Sequence, residues 1–159
     1  MADFDPAAAD LSLVSLFAGW GLADEVQRRL DAEGFADSRF ADGVVFQHLV
    51  DGPLAIGVLA ERLGVSQQAA SKSVADLQRR GYLAREADPA DARARLVALT
   101  DRGHAIIAAA REHRAAIDAE LVVALGADRV ASTRAALADI VNHLGATPAL
   151  RTRRARPPR

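Results

Sequence analysis

The sequence predicts a mainly α fold: one small unit with short helices and a single β hairpin, framed by long N- and C-terminal helices. Three observations predict it. Apolar residues recur three and four positions apart through most of the chain. Two short periodic segments are separated by Leu63-Gly64-Val65-Ser66, a break of the length that joins two crossed helices. The second segment is followed by two short extended runs around Asp88-Pro89.

The chain has 159 residues, enough for one core with extended arms. Half are apolar, few are aromatic and alanine is abundant, which favours closely packed helices. There is no cysteine, which removes disulfides, thiolate nucleophiles and thiol redox sensing. Charged or polar residues interrupt every apolar run, so neither a signal peptide nor a membrane span is expected, and the expected location is the cytoplasm.

A net charge of −1 conceals an uneven distribution. Residues 1–60 carry 3 basic and 10 acidic side chains, residues 61–100 carry 7 and 5, and residues 101–150 carry 5 and 6. The last nine residues hold 5 Arg and no acid. A near-neutral total is compatible with nucleic-acid binding when the basic part is concentrated on one element.

In chain order, residues 1–9 read as a loose arm. Leu13, Leu16, Phe17, Trp20, Val26 and Leu30 then give a first helix from Asp10 to about Leu30, with Gly19 and Gly21 permitting a bend or a close approach. An Ala/Asp/Gly-rich stretch, 31–42, leads to a short second helix holding Val44, Val45, Phe46 and Leu49. Asp51-Gly52-Pro53 punctuates the chain. Leu54 to Leu63 reads as the third helix, with Leu54, Val58 and Leu59 on one side and Gly64 closing it.

The fourth helix starts after Ser66, whose hydroxyl suits the N-cap, and ends at Gly81. On a helical wheel Ala70, Val74 and Leu77 face inward with Ser73 at the edge. Gln68, Ser71, Lys72, Ala75 and Arg79 occupy the opposite side, where acidic side chains are absent. Any solvated helix is polar outside, but Gln, Ser and Lys near the N-terminus are residues able to meet base edges and phosphates. Asp76 is spaced to pair with Lys72 or Arg80.

Tyr82–Glu86 and Ala94–Leu99 can pair as antiparallel strands, with Val97 and Leu99 on the inner face. Arg85, Arg93 and Arg95 cluster around the projecting turn between them. A solvated hairpin accounts for three arginines, but beside a helix-turn-helix such an arm is sized for the minor groove. Together these elements make a winged helix-turn-helix over residues 35–100.

Thr100-Asp101 caps a long helix reaching about Leu125, and Gly126 stops it. Asp128 is placed to cap a last helix through Leu144, with Val130, Leu137, Ile140 and Val141 in register. These helices and the first one (residues 10–34 and 101–145) are too long and apolar for a small winged unit to cover. Burying the surplus against a second copy makes them dimerisation helices and the protein a homodimer. Residues 146–159 form a basic tail, expected to be flexible and available to phosphates.

An enzyme is the first rival class. His48, His104, His113 and His143 stand in no HxH or HExxH arrangement, and no Gly-rich phosphate loop or nucleophile elbow is present. The expectation is therefore no catalytic residue, no metal site and no cofactor; bound metal in purified protein would revive a metal-responsive regulator. A second rival keeps the fold as a protein–protein interaction module without specific DNA binding, with some footing in the acidic residues 1–60.

Over about fifty consecutive residues the chain resembles the MarR family of bacterial winged helix-turn-helix regulators. The resemblance rests on Leu54-x4-Leu59-Ala60-x-x-Leu63-Gly64-Val65-Ser66, then Ala70-Ser71-x-x-Val74-x-x-Leu77-x-x-x-Gly81-Tyr82-Leu83-x-Arg85. It continues through Asp88-Pro89-x-Asp91-x-Arg93-x5-Leu99-Thr100-x-x-Gly103. It implies a homodimer with interlocked terminal helices and two winged units on a pseudo-palindromic double-stranded DNA operator, most commonly as a repressor. It also implies that Gln67, Gln68, Ser71 and Lys72 lie at the DNA face, that Arg93 enters the minor groove and that Asp91 holds the wing arginine. Arg85 becomes a phosphate neighbour. Ala92 stands where the family often has a second Arg, and Ala69 where a hydroxyl is common. Small aromatic or phenolic effectors of the family bind between dimer helices and winged unit, which draws attention to Phe17, Trp20, Phe46 and His48. The alternative for these four is packing: Phe17 and Phe46 in the core, Trp20 as an interface anchor, His48 on an exposed helix face.

Overall fold

The computed structural model describes residues 5–91 and 94–152. After a 3-10 turn at Pro6–Ala8, α1 (Leu11–Leu30) runs unbroken through Gly19 and Gly21, where an added Cβ would meet nothing, so neither a bend nor a close approach within the chain occurs there. A π-type turn, Asp31–Phe35, follows, with Gly34 at φ 90°. α2 spans Asp42–Leu49, α3 Ile56–Leu63 and α4 Gln67–Arg79.

Leu54–Ala55 is not the first turn of α3 but a short strand, β1, paired antiparallel with Val97 and Leu96. The i, i+4 spacing of Leu54 and Val58 favours a helix locally. Pairing instead gives the outer edge of the hairpin hydrogen-bond partners that it would otherwise lack. Val58, placed on one side with Leu54 and Leu59, is exposed while Leu59 is buried. β2 (Leu83–Ala87) and β3 (Arg95–Leu99) form the hairpin, and the sheet order is β1-β3-β2. Val97 is fully buried and Leu99 partly so, as their shared parity requires, while Ala98 on the other face is covered as well.

The core gathers Phe46 and Leu49 of α2, Leu59 of α3, Val74 and Leu77 of α4, Tyr82, Val97 and Ile106. Ile106 belongs to α5 (Asp101–Leu125), whose N-cap Thr100 accepts a hydrogen bond from the Gly103 N–H at 3.1 Å and donates to the Gly81 carbonyl at 2.6 Å. α5 therefore starts against the α4–β2 turn and leaves the winged unit as a long arm. α1 runs beside it: Val26 and Leu30 join the core next to Ile106 and Ile107, and Arg29 bridges Glu25 and Glu120 at 2.7 Å each. The Arg28 and Arg29 guanidinium groups hold the Glu25 carboxyl at about 2, well below the usual carboxylate range.

α6 (Ala127–His143) doubles back after Gly126, which is itself the N-cap; Asp128 lies in the first turn without capping it. Thr147–Thr152 add a short helix, α7, inside the stretch read as a tail. Much of the apolar surface of these arms is open. Phe17 is 63% exposed, Trp20 54% and Val123 88%, with Leu11, Leu137 and Leu144 also uncovered. Phe17 is thus not core: it packs edge-on against Trp20, ring centroids 5.2 Å apart. No described helix is long and apolar enough to cross a membrane.

Candidate nucleic-acid interface

The local sequence fixes how α4 is presented. Gly64 closes α3 in the left-handed conformation (φ 67°), which an L side chain rarely adopts. Ser66 then caps α4, its Oγ accepting from the Ala69 N–H at 3.2 Å. Ala70, Val74 and Leu77 are buried and Gln67, Gln68 and Lys72 are exposed, with Ser71 at the boundary. Ser73 is exposed, not at the core edge as the wheel suggested.

Among the described residues, the side chains of Gln67, Gln68, Ser71 and Lys72 have no hydrogen-bond partner. The only acid of α4, Asp76, is turned away from that row: its carboxylate receives Arg80 at 2.7 Å, Arg79 at 2.7 Å and, more loosely, Arg39 at 3.6 Å. Arg80, not Lys72, is therefore its main partner, and that hydrogen bond pulls the Asp76 carboxyl below the usual range. The row is left with donors, acceptors and one cation, at the positive end of a helix.

Arg79 is exposed although tied to Asp76, and Arg85, on β2, donates to Gln78 Oε1 at 3.4 Å. Arg95 opens β3, exposed, its guanidinium 3.5 Å from the Ala94 carbonyl. The wing turn is tightly bonded. Asp88 Oδ1 accepts from the Ala90 N–H, the Asp91 N–H donates to the Asp88 carbonyl, and the Asp91 carbonyl accepts from Ala94. Ala92 and Arg93 lie outside the described residues, so the expected contact of Asp91 with Arg93 does too.

The four residues singled out for an effector are not brought into one pocket. Phe46 is buried and contributes a wall to a crevice between α1, residues 38–40, α2 and α5, whose rim carries Arg39, Arg111 and Arg114. Trp20 lines an adjoining crevice that shares Ser38, Arg39 and Phe40. Phe17 lines a separate apolar groove with Leu13 and Val14. His48 is half-buried on α2, its carbonyl accepting from Arg62 at 3.4 Å. Helical spacing alone cannot tell that α1 carries its aromatic residues on a side that α2 never reaches.

One polar cluster has no counterpart in the sequence reading. Arg80, the C-cap of α4, donates to both carboxylate oxygens of Asp42 (2.5 and 3.1 Å) and to the Asp37 carbonyl (2.8 Å). The Tyr82 hydroxyl donates to Asp37 Oδ1 at 2.5 Å, and Arg102 donates to the same oxygen at 2.9 Å. The Tyr82 and Arg102 bonds lower the Asp37 carboxyl, while burial and that carboxylate raise the Tyr82 phenol. The only local signal was a charged residue at each end of segment 37–42. Among the described residues, no group of three or more Asp, Glu or His stands close enough to hold a metal ion.

Residues 43–94 match the model of the MarR family. No curated protein matches the chain. Solved structures do: YusO from Bacillus subtilis is 24% identical, with 83% of this chain and 91% of that one covered, TM-score 0.65. RV1404 from Mycobacterium tuberculosis is 22% identical, with 89% and 97% covered, TM-score 0.70. A MepR mutant from S. aureus, bound to an oligodeoxyribonucleotide, is 19% identical, with 86% and 99% covered, TM-score 0.60. The match spans α2 to the wing, and the surrounding arms share the fold of these structures. Residues 43–94 thus carry the likeness to the MarR family, and the chain shares the fold of these solved structures.

Proposed function

We propose that this regulator reads double-stranded DNA by sequence, as a homodimer on a pseudo-palindromic operator, and acts as a repressor relieved by a small ligand. The observation that carries the reading is the row Gln67, Gln68, Ser71 and Lys72: exposed but for Ser71 at its margin, without hydrogen-bond partners among the described residues, free of acids and backed by Ala70, Val74 and Leu77. Gln68 has the bidentate amide that suits adenine and Lys72 the donor that suits guanine O6 and N7. Arg79, Arg85 and Arg95 are assigned to phosphates, and Arg93, oriented by Asp91, to the minor groove.

Burial supports a division of labour. Residues 35–100 form the DNA-binding unit; residues 10–34 and 101–145 leave apolar side chains open that a second copy would cover. Residues 146–159 add a basic tail. In a dimer the two α4 helices would enter successive major grooves about 34 Å apart, so a small change between the arms changes operator fit. The crevice walled by Phe46, with its arginine rim, is where an aromatic or phenolic effector would sit. A regulator of this kind works in the cytoplasm.

Fluorescence anisotropy with the duplex upstream of the protein's own gene, at several salt concentrations, tests the reading. Sequence-preferring binding that weakens with salt is expected. K72A should relax selectivity at the guanine it reads, R79A should lower affinity for all sequences and reduce the salt slope by about one, and R93A should cost affinity through the wing. Equal affinity for every duplex, or binding indifferent to salt, would contradict it.

A further inference from the structure

Segment 37–42 has two sides with different neighbours. On one, Ser38, Arg39 and Phe40 line the crevice, and Gln27 of α1 donates to both the Ser38 hydroxyl (3.1 Å) and its carbonyl (3.3 Å). On the other, Asp42 and the Asp37 carbonyl hold the Arg80 guanidinium at the end of α4, and the Asp37 carboxylate holds Tyr82 and Arg102 just beyond it. Six residues therefore separate the crevice from the recognition helix.

The bonds on the α4 side are of the kind that transmit position. The Arg80 and Asp42 side chains are only 13% and 10% exposed, and the pair is bidentate, so the guanidinium plane is fixed relative to the carboxylate. Asp42 is itself anchored, its Oδ2 accepting the Arg39 N–H at 2.9 Å. Arg80 also grips Asp76 on its own helix at 2.7 Å, so the α4 axis cannot turn without moving the guanidinium. The Arg102 guanidinium closes the far end, 4.8 Å above the Tyr82 ring and donating to the Gly34 carbonyl at 3.2 Å.

We propose that residues 37–42 form a lever: Asp42, a positioning residue acting through Arg80, sets the orientation in which α4 meets DNA, and filling the crevice behind Ser38–Phe40 shifts that orientation. The proposal rests on α4 reading DNA, and deepens it by naming how the crevice controls the same face. It uses residues that touch neither the DNA row nor the arms' open apolar surface.

A double-mutant cycle tests it, using a duplex selected by the wild-type protein from a random library. D42N and R80Q are each expected to weaken binding about tenfold, and D42N/R80Q no further than R80Q alone, because Asp42 acts only through Arg80. Amide hydrogen exchange at Leu77–Arg80 should quicken in D42N while α6 is unchanged, which a general loss of stability would not produce. R80K, which keeps the charge but not the fork, should not restore affinity.

A second variant leaves the pair intact. Gly43 lines the crevice, and a Cβ there meets nothing within 4 Å, so G43F places an aromatic ring in it without any added ligand. A tenfold change in affinity is expected, and little further change when D42N is added. Wild-type selectivity with additive effects in the cycle, or with G43F binding like wild type, would overturn the lever while leaving DNA reading intact. Failure of the wild type to select any duplex would overturn the reading on which it rests.

Discussion

Replacing Gly103 by alanine is expected to cost about 3 kcal/mol of stability or more, the upper range for forcing an extra atom into a packed site. A Cβ at Gly103 would stand 2.3 Å from the Tyr82 carbonyl oxygen and 2.9 Å from Leu99 Cδ2. The oxygen cannot retreat freely, because it accepts the Thr100 N–H at 3.0 Å, and Thr100 is the cap that starts α5. Relief requires α5 to lift from the α4–β2 turn, separating the arm from the winged unit. Urea unfolding at fixed protomer concentration measures this; a dimer's apparent stability depends on that concentration. G43A is the control: it sits in α2 with open space around the new methyl, and a gain of up to about 1 kcal/mol is expected. Equal unfolding midpoints for G103A and wild type would show that the contact is not what sets this residue.

Placing a carboxylate on the open face of α1 is expected to separate the protomers of the proposed homodimer. Phe17 is 63% exposed in the single chain yet paired edge-on with Trp20, an arrangement of two large rings that a solvated helix has little reason to keep. Continued along α1 by Leu11, Leu13 and Leu16 and answered by Val123, Leu125 and Leu144 of the C-terminal arms, the face is broader than isolated surface residues explain. F17E would bury an unpaired charge there, and a 100-fold or greater rise in the dimer dissociation constant is expected, about 2.7 kcal/mol. Sedimentation equilibrium reads it directly. DNA affinity should fall with it, because one winged unit grips one half-site. A variant that stays dimeric and binds DNA normally would place the subunit interface elsewhere.

What could be read from the sequence was local. The Ser66 and Thr100 caps, the Gly64 stop and the inward set Ala70, Val74 and Leu77 each depend on residues within a turn or two, and each is present. What escaped depends on partners far along the chain. β1 exists only because Val97 and Leu96 offer an edge some forty residues later. Asp42 and Arg80 are 38 residues apart, and neither has a spacing that announces the other. Phe17 and Trp20 show the same difficulty from another side: periodicity assigned them to an apolar face correctly, but nothing in a single chain's pattern states whether that face meets its own core or another copy. The wing arginines stand out in the sequence by clustering around the turn, and likeness to the MarR family singles out Arg93 among them; Arg93 lies outside the described residues.

The claim that α4 reads bases is tested most directly by a panel of duplexes, each with one base pair of the selected operator changed, titrated with wild-type protein and with Q68A. Wild-type discrimination of about 1–3 kcal/mol is expected at one symmetry-related pair of positions. Q68A should abolish it there and leave the other positions unchanged. If Q68A keeps the full wild-type profile, or loses affinity uniformly across the panel, Gln68 reads no base and the exposed row of α4 serves something other than sequence recognition.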